Sequence, residues 1–70
     1  MHVLQESGVV KWFDTERGYG FILRDDGKEL FLHASDISTK GYSYVHEGQR
    51  VGFVSEKRGK GLEAKKVQVL

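Results

Sequence analysis

Aromatic and aliphatic side chains alternate in two segments of this chain, Arg17-Gly18-Tyr19-Gly20-Phe21-Ile22 and Leu30-Phe31-Leu32-His33. Such alternation is typical of β-strands, in which residues two positions apart project from the same face. One face of the predicted strand pair carries rings, those of Tyr19, Phe21, Phe31 and His33. The other face carries the aliphatic side chains of Ile22, Leu30 and Leu32, and the pattern therefore predicts that this second face covers the core.

Rings on the outer face of a sheet suggest a ligand with flat surfaces. The exposed bases of a single-stranded nucleic acid stack well on such rings, because every base has a π-face. The pattern of the two segments therefore favours a surface that binds single strands.

Length and composition limit the architecture and the partners. The 70 residues suffice for one domain, and the chain contains no cysteine. Eleven Lys and Arg against ten Asp and Glu leave a formal net charge of +1, so attraction by net charge alone cannot dominate binding. The first residues lack the pattern of a signal peptide, and no apolar run approaches the length of a membrane span. We expect a cytoplasmic monomer.

Turn signals divide the chain into five short strands. The sequence predicts strands over residues 9–13, 18–23, 29–33, 50–56 and 62–69. Ala34-Ser35-Asp36-Ile37 predicts a single helical turn, and residues 38–48 a long polar loop. We expect residues 1–7 to be a short N-terminal extension and residues 8–70 to be a single domain.

Five short strands without helices must bury their apolar faces against one another. The predicted fold class is therefore all-β, a small five-stranded antiparallel barrel, which also hides the edges of the strands. The expected core residues are Val10, Ile22, Leu30, Leu32, Ile37, Val51, Phe53 and Val67.

Four segments in the same order and spacing resemble the cold-shock domain family. They are Gly8-Val9-Val10-Lys11-Trp12-Phe13, residues 17–22, residues 30–33, and Glu47-Gly48-Gln49. The resemblance extends from about Gly8 to Val67. It implies a barrel of the oligonucleotide-binding type that binds single-stranded RNA and DNA. It also implies the role of an RNA chaperone or of a cold-shock-type regulator of transcription or translation.

The resemblance also implies roles for individual residues. It assigns base stacking to Trp12, Tyr19, Phe21, Phe31, His33 and Tyr42, contacts with the nucleic-acid backbone or base edges to Lys11 and Arg17, and a place at the margin of the surface to Phe13. The loop that contains Lys57, Arg58 and Lys60 is either a solvated turn or a rim that binds phosphate groups, and the residues alone leave both readings open.

Some positions depart from the family pattern. Ala34 stands where many members carry another aromatic ring, and Asp14 stands where an asparagine is usual. Together these two residues predict weaker binding. Trp12 shares its parity with Val10, and therefore needs a bulge or a sharp coil to reach the outer face.

Other classes of function have less support in the sequence. No catalytic constellation or phosphate-binding loop appears, so we do not expect an enzyme, a cofactor or a small-molecule substrate. The histidines have no metal-ligand spacing. The main alternative is a protein-interaction module that uses the same aromatic surface.

Overall fold

The β1–β2 hairpin starts the barrel and carries three of the aromatic side chains on its outer surface, Trp12, Tyr19 and Phe21. In the computed structural model, which describes residues 5–38 and 44–70, β1 spans Glu6–Asp14 and β2 spans Tyr19–Arg24. β3 spans Glu29–His33, and a single 3₁₀ turn follows over Ala34–Asp36. β4 (Arg50–Arg58) and β5 (Gly61–Val69) form a second hairpin.

The strands close into a barrel in the order β1-β2-β3-β5-β4. All pairs are antiparallel except β3 with β5, which run parallel where Phe31 lies opposite Glu63. A second parallel bridge joins Ile37 to Val67. The predicted all-β barrel of five strands is confirmed, with this one parallel seam. Parallel strands need a long connection, and the segment that includes the 3₁₀ turn and β4 provides it.

The observed strand boundaries differ slightly from the predicted ones. β1 begins at Glu6, three residues before the predicted start at Val9, because Glu6 and Ser7 pair with Phe53 and Gly52 of β4. β4 continues to Arg58, where a tight turn with φ of +60° at Gly59 leads into β5. Such a turn favours glycine, which has no Cβ to clash.

The core lies inside the barrel and contains most of the predicted residues. Seven of the eight are almost completely buried, whereas Ile37 is partly buried and packs against the others. Val45 and Ala64 are also buried core residues, and the sequence did not predict them. Val45 lies within the long polar segment, and alanine carries little apolar signal, so neither residue stood out.

Among the described residues, no helix is long and apolar enough to cross a membrane.

Candidate nucleic-acid interface

Four aromatic rings lie in contact on the outer surface of β1, β2 and β3. The ring centroid of Trp12 lies 5.5 Å from that of Tyr19 and 5.4 Å from that of Phe21. The ring centroid of Phe31 lies 5.8 Å from those of both Tyr19 and Phe21. The four rings therefore form a closed circuit of contacts. We call them, together with the neighbouring His33, the aromatic face.

Strand pairing explains this cluster. Phe21 lies opposite Trp12 on one side and Phe31 on the other, while Tyr19 lies opposite His33. Side chains opposite each other on neighbouring strands are close enough to touch. The inward neighbours along the same strands, Ile22, Leu30 and Leu32, are completely buried.

Trp12 reaches the outer face because β1 contains a bulge. Val10 pairs with Ile22 and Trp12 pairs with Phe21, so Lys11 has no residue opposite it. One extra residue reverses the side to which the following side chains point. Val10 is therefore buried, while Trp12 is 38% exposed.

The absence of a side chain at Gly20 permits this arrangement. Gly20 is buried and lies opposite Phe13, and a Cβ there would collide with the carbonyl oxygen of Trp12. β1 can therefore approach β2 closely beneath the aromatic face. Phe13 is partly buried and packs against the core, so its ring lies apart from the circuit of contacts.

His33 is exposed, and its imidazole ring is held at the start of the 3₁₀ turn. The backbone N–H of Ser35 donates a hydrogen bond to Nδ1 of His33 over 3.1 Å. The Oγ atom of Ser35 lies 2.9 Å from the same nitrogen. His33 thus caps the turn through Nδ1. Ala34, which stands where many members of the family that this chain resembles carry an aromatic ring, is the first residue of this turn. Its Cβ is directed towards Gly18.

Two cations beside the aromatic face are paired with carboxylates. Nζ of Lys11 lies 2.9 Å from Oε2 of Glu29, and both side chains are about half exposed. Nε of Arg17 lies 3.8 Å from Oδ2 of Asp14. Ion pairs as exposed as these are weak, so neither carboxylate holds its cation tightly.

On the β4–β5 hairpin, the Arg58 side chain is paired with a carboxylate. Arg58 lies 3.2 Å from Glu63, which is opposite Phe31 in the parallel seam. The Lys65 side chain also pairs with Glu63, and hydrogen bonding from Lys65 is the main cause of the lowered pKa of this carboxyl. Lys57 and Lys60 have no ion pair within the described residues. Tyr42 lies outside the described residues.

One further ring pair was not predicted. The rings of Tyr44 and His46 meet edge to face, 5.1 Å apart. Tyr44 is 45% exposed, whereas Val45 between them is buried. The alternation of Tyr44, Val45 and His46 is the sequence signal that could have indicated an extended segment here.

The closed five-stranded barrel, with its parallel β3–β5 seam and the aromatic rings on its outer face, belongs to the class of small barrels of the oligonucleotide-binding type.

Comparison with known proteins specifies the family. Residues 6–70 match the model of the "cold-shock" DNA-binding domain. The chain is 50% identical over 66 residues to a cold shock-like protein, CspA, of Bordetella pertussis, covering 93% of this chain and 98% of the relative. It is 44% identical over 63 residues to the cold shock protein CspC of Bacillus subtilis, covering 90% of this chain and 96% of the relative. It is 41% identical over 66 residues to the cold shock protein CapB of Pseudomonas syringae pv. tomato, with 94% and 96% coverage.

The chain belongs to the cold-shock domain family. Membership implies nucleic-acid binding.

Proposed function

We propose that this protein binds single-stranded RNA and DNA by stacking bases on the aromatic face. The observation that supports this most directly is the circuit of contacts among the four rings, which lie side by side over three neighbouring strands. A run of rings on an outer face offers successive bases a continuous stacking surface. Lys11 and Arg17 stand at its border, where phosphates or base edges would lie.

Stacking can provide enough affinity without strong net charge. Each stacked base contributes about 1–3 kcal/mol by alanine substitution. Because about 1.4 kcal/mol changes affinity tenfold, several stacked bases support micromolar to nanomolar binding after the cost of association. A duplex should bind poorly, since its bases already stack on one another.

This mode of binding fits the role of an RNA chaperone that acts without catalysis. A protein that binds unpaired bases and not paired ones shifts RNA hairpins towards their open form. We place the protein in the cytoplasm, where such RNA is made, and we propose that it acts as a monomer.

Fluorescence of Trp12 tests the proposal, because it is the only tryptophan of the chain. A short oligothymidylate should quench this fluorescence, whereas a duplex containing the same strand should not. The Phe31→Ala variant should need more oligothymidylate for the same quenching. Equal affinity for both forms would exclude base stacking. Failure of any nucleic acid to quench, with the protein folded, would favour the protein-interaction module.

A further inference from the structure

The free edge of the His33 ring has a defined chemical character. The imidazole ring has two nitrogens, and in its neutral form one donates a hydrogen bond while the other accepts. Nδ1 of His33 accepts from the backbone N–H of Ser35. A backbone amide always carries its proton, so Nδ1 must supply a lone pair, and the proton of the neutral ring lies on Nε2.

The Nε2–H group has no hydrogen-bond acceptor in the part of the chain that the structure describes. His33 is exposed and lies opposite Tyr19, at the end of the aromatic face. Because the hydrogen bond at Nδ1 fixes the orientation of the ring, the Nε2–H group is a directed hydrogen-bond donor beside the stacking surface. The donor suits an acceptor oxygen of a nucleotide, either a base carbonyl or a phosphate oxygen.

We propose that His33 contacts the nucleic acid as a neutral Nε2–H donor, and that Ser35 is the positioning residue that sets this tautomer. The inference rests on the proposed function, since it names the contact that one member of the aromatic face makes. Ser35 acts through two groups, its backbone N–H and its Oγ, both within hydrogen-bond distance of Nδ1. It contacts the ring and not the ligand.

The tautomer can be measured without any ligand. Long-range ¹H–¹⁵N NMR spectra of the labelled full chain, at mildly alkaline pH where imidazole is neutral, distinguish a protonated from an unprotonated ring nitrogen. We expect Nε2 of His33 to be protonated and Nδ1 to be unprotonated. Ser35→Ala, which removes Oγ but keeps the backbone N–H, should leave this tautomer in place. A proton on Nδ1 in the wild-type protein would overturn the proposal.

A pair of variants then separates the contribution of the Nε2–H donor from that of the hydrogen bond at Nδ1, which caps the turn. His33→Gln places an N–H₂ group near the position of Nε2 but loses the acceptor near the backbone. His33→Asn keeps an acceptor near the position of Nδ1 but loses the distal donor. Both remove the stacking ring, so stacking cancels in the comparison. We expect His33→Gln to bind oligothymidylate about three- to tenfold more tightly than His33→Asn, as one hydrogen bond would give. Equal binding, or tighter binding by His33→Asn, would mean that His33 makes no donor contact with the ligand.

Modified strands identify the acceptor oxygen. An abasic site or a neutral methylphosphonate is placed at each position of the oligothymidylate in turn. If the acceptor is a base carbonyl, one abasic position should abolish the difference between the Gln and Asn variants. If it is a phosphate, one methylphosphonate should do so. A difference that survives every replacement would refute the donor contact.

Failure of this inference can be distinguished from failure of the proposed function. If oligothymidylate quenches Trp12 but the two His33 variants bind equally, base stacking stands and the donor contact does not. If oligothymidylate fails to quench Trp12 in the wild-type protein, the proposed function itself is wrong, whatever the tautomer.

Discussion

Phe21 and Phe31 each have a partly exposed side chain, although they alternate with completely buried aliphatic residues. Their rings contact each other and the neighbouring aromatic side chains, 5.4–5.8 Å between centroids. Outward apolar rings add little to the core, so their main contribution should be to binding and not to stability.

We expect Phe21→Ala and Phe31→Ala each to weaken binding of oligothymidylate by about 1–3 kcal/mol. The loss of folding stability should remain well below the 3–5 kcal/mol typical of a buried phenylalanine. Binding titrations and urea denaturation of the same variants measure the two effects.

Leu23→Ala is the matched control. Leu23 lies on β2 with the same outward orientation, but it is 42% exposed and outside the circuit of rings. Its replacement by alanine should change neither the affinity for oligothymidylate nor the free energy of unfolding by much. A binding loss for Leu23→Ala equal to that of the phenylalanine variants would count against a specific role for the rings.

Lys66 shows that a single residue can also carry backbone strain. Its φ angle is 51°, in the left-handed region, and it belongs to a bulge of β5, where two residues lie opposite Phe53 alone. The bulge keeps Val67 directed into the core, where this side chain is completely buried. The left-handed conformation costs a residue with a Cβ about 1–2 kcal/mol, and asparagine tolerates it better than lysine does.

Lys66→Asn should therefore increase the free energy of unfolding, by up to about 1 kcal/mol. Urea denaturation measures the change. Gln68→Asn is the control, because Gln68 is exposed on the same strand and has no positive φ angle. An equal effect of both substitutions, or no gain for Lys66→Asn, would show that the strain at Lys66 is negligible.

Among the elements, the turn between β1 and β2 links the geometry of the aromatic face to its charge. Oδ1 of Asp14 accepts hydrogen bonds from the backbone N–H groups of Glu16 and Arg17, over 3.0 and 3.1 Å. Oδ2 lies 3.8 Å from the Arg17 side chain. One carboxylate oxygen thus shapes the turn, while the other holds a cation that could otherwise meet a phosphate.

Asp14→Asn should tighten binding at low salt. The amide oxygen of asparagine can keep both backbone hydrogen bonds, while loss of the charge releases Arg17 and removes repulsion of phosphates. The gain should shrink as salt rises, because screening weakens exposed charges. Titrations at several salt concentrations measure this, with Glu16→Gln, a neighbouring exposed charge, as the control. An unchanged or weaker affinity for Asp14→Asn at low salt would contradict the expectation.

For the whole molecule, the near-neutral net charge limits the number of phosphate contacts. The predicted cations are Lys11, Arg17, Lys57, Arg58 and Lys60, and three of them are already paired with carboxylates. We therefore expect about two to four contacts.

The salt dependence of binding should be correspondingly modest. At about −0.7 per contact on a single strand, the slope of log affinity against log salt should lie between about −1.4 and −2.8. Fluorescence titrations over a range of salt concentrations give the slope, and Lys57→Gln with Lys60→Gln should reduce it if the hairpin contributes. A slope near about −5 would mean that charge and not stacking dominates.

A network of charges lies where β1 begins and β2 ends. Arg24 makes two hydrogen bonds to Asp26, over 2.8 and 2.9 Å, and one of 2.6 Å to Glu6. The Arg24 side chain is only 17% exposed. The hydrogen bonds from Arg24 are the main reason that the pKa of Asp26 falls to about 2. Burial raises the pKa of Glu6, but hydrogen bonds from Ser55 and the charge of Arg24 outweigh it and leave the pKa lowered.

The network predicts a loss of stability in acid. Because the folded protein lowers the pKa of Asp26 below its ordinary value of 3.8, the stabilisation is present above that value and is lost as pH falls towards about 2. The free energy of unfolding should therefore drop over this range. Arg24→Gln should flatten the drop, whereas Lys60→Gln, at an exposed position, should not. Urea denaturation at several pH values tests this, and an unaltered acid dependence in Arg24→Gln would refute the role of the network.

The alternation of side chains determined most of the fold without tertiary information. Strands β2 and β3 and most of the core followed from it, because a strand buried on one face requires an apolar residue at every second position. The same alternation predicted the outward orientation of four rings, because the residues between them already faced the core. These rings are those of Tyr19, Phe21, Phe31 and His33.

Tertiary structure alone decided the features that depend on neighbouring strands. The bulge at Lys11 turns Trp12 outwards, and the parity of β1 by itself could not choose between the two sides. The pairing of Lys11 with Glu29, the burial of Val45 and the parallel seam between β3 and β5 depend on contacts between residues far apart in the chain. Local propensity carries no information about such contacts, so only closure of the barrel fixes them.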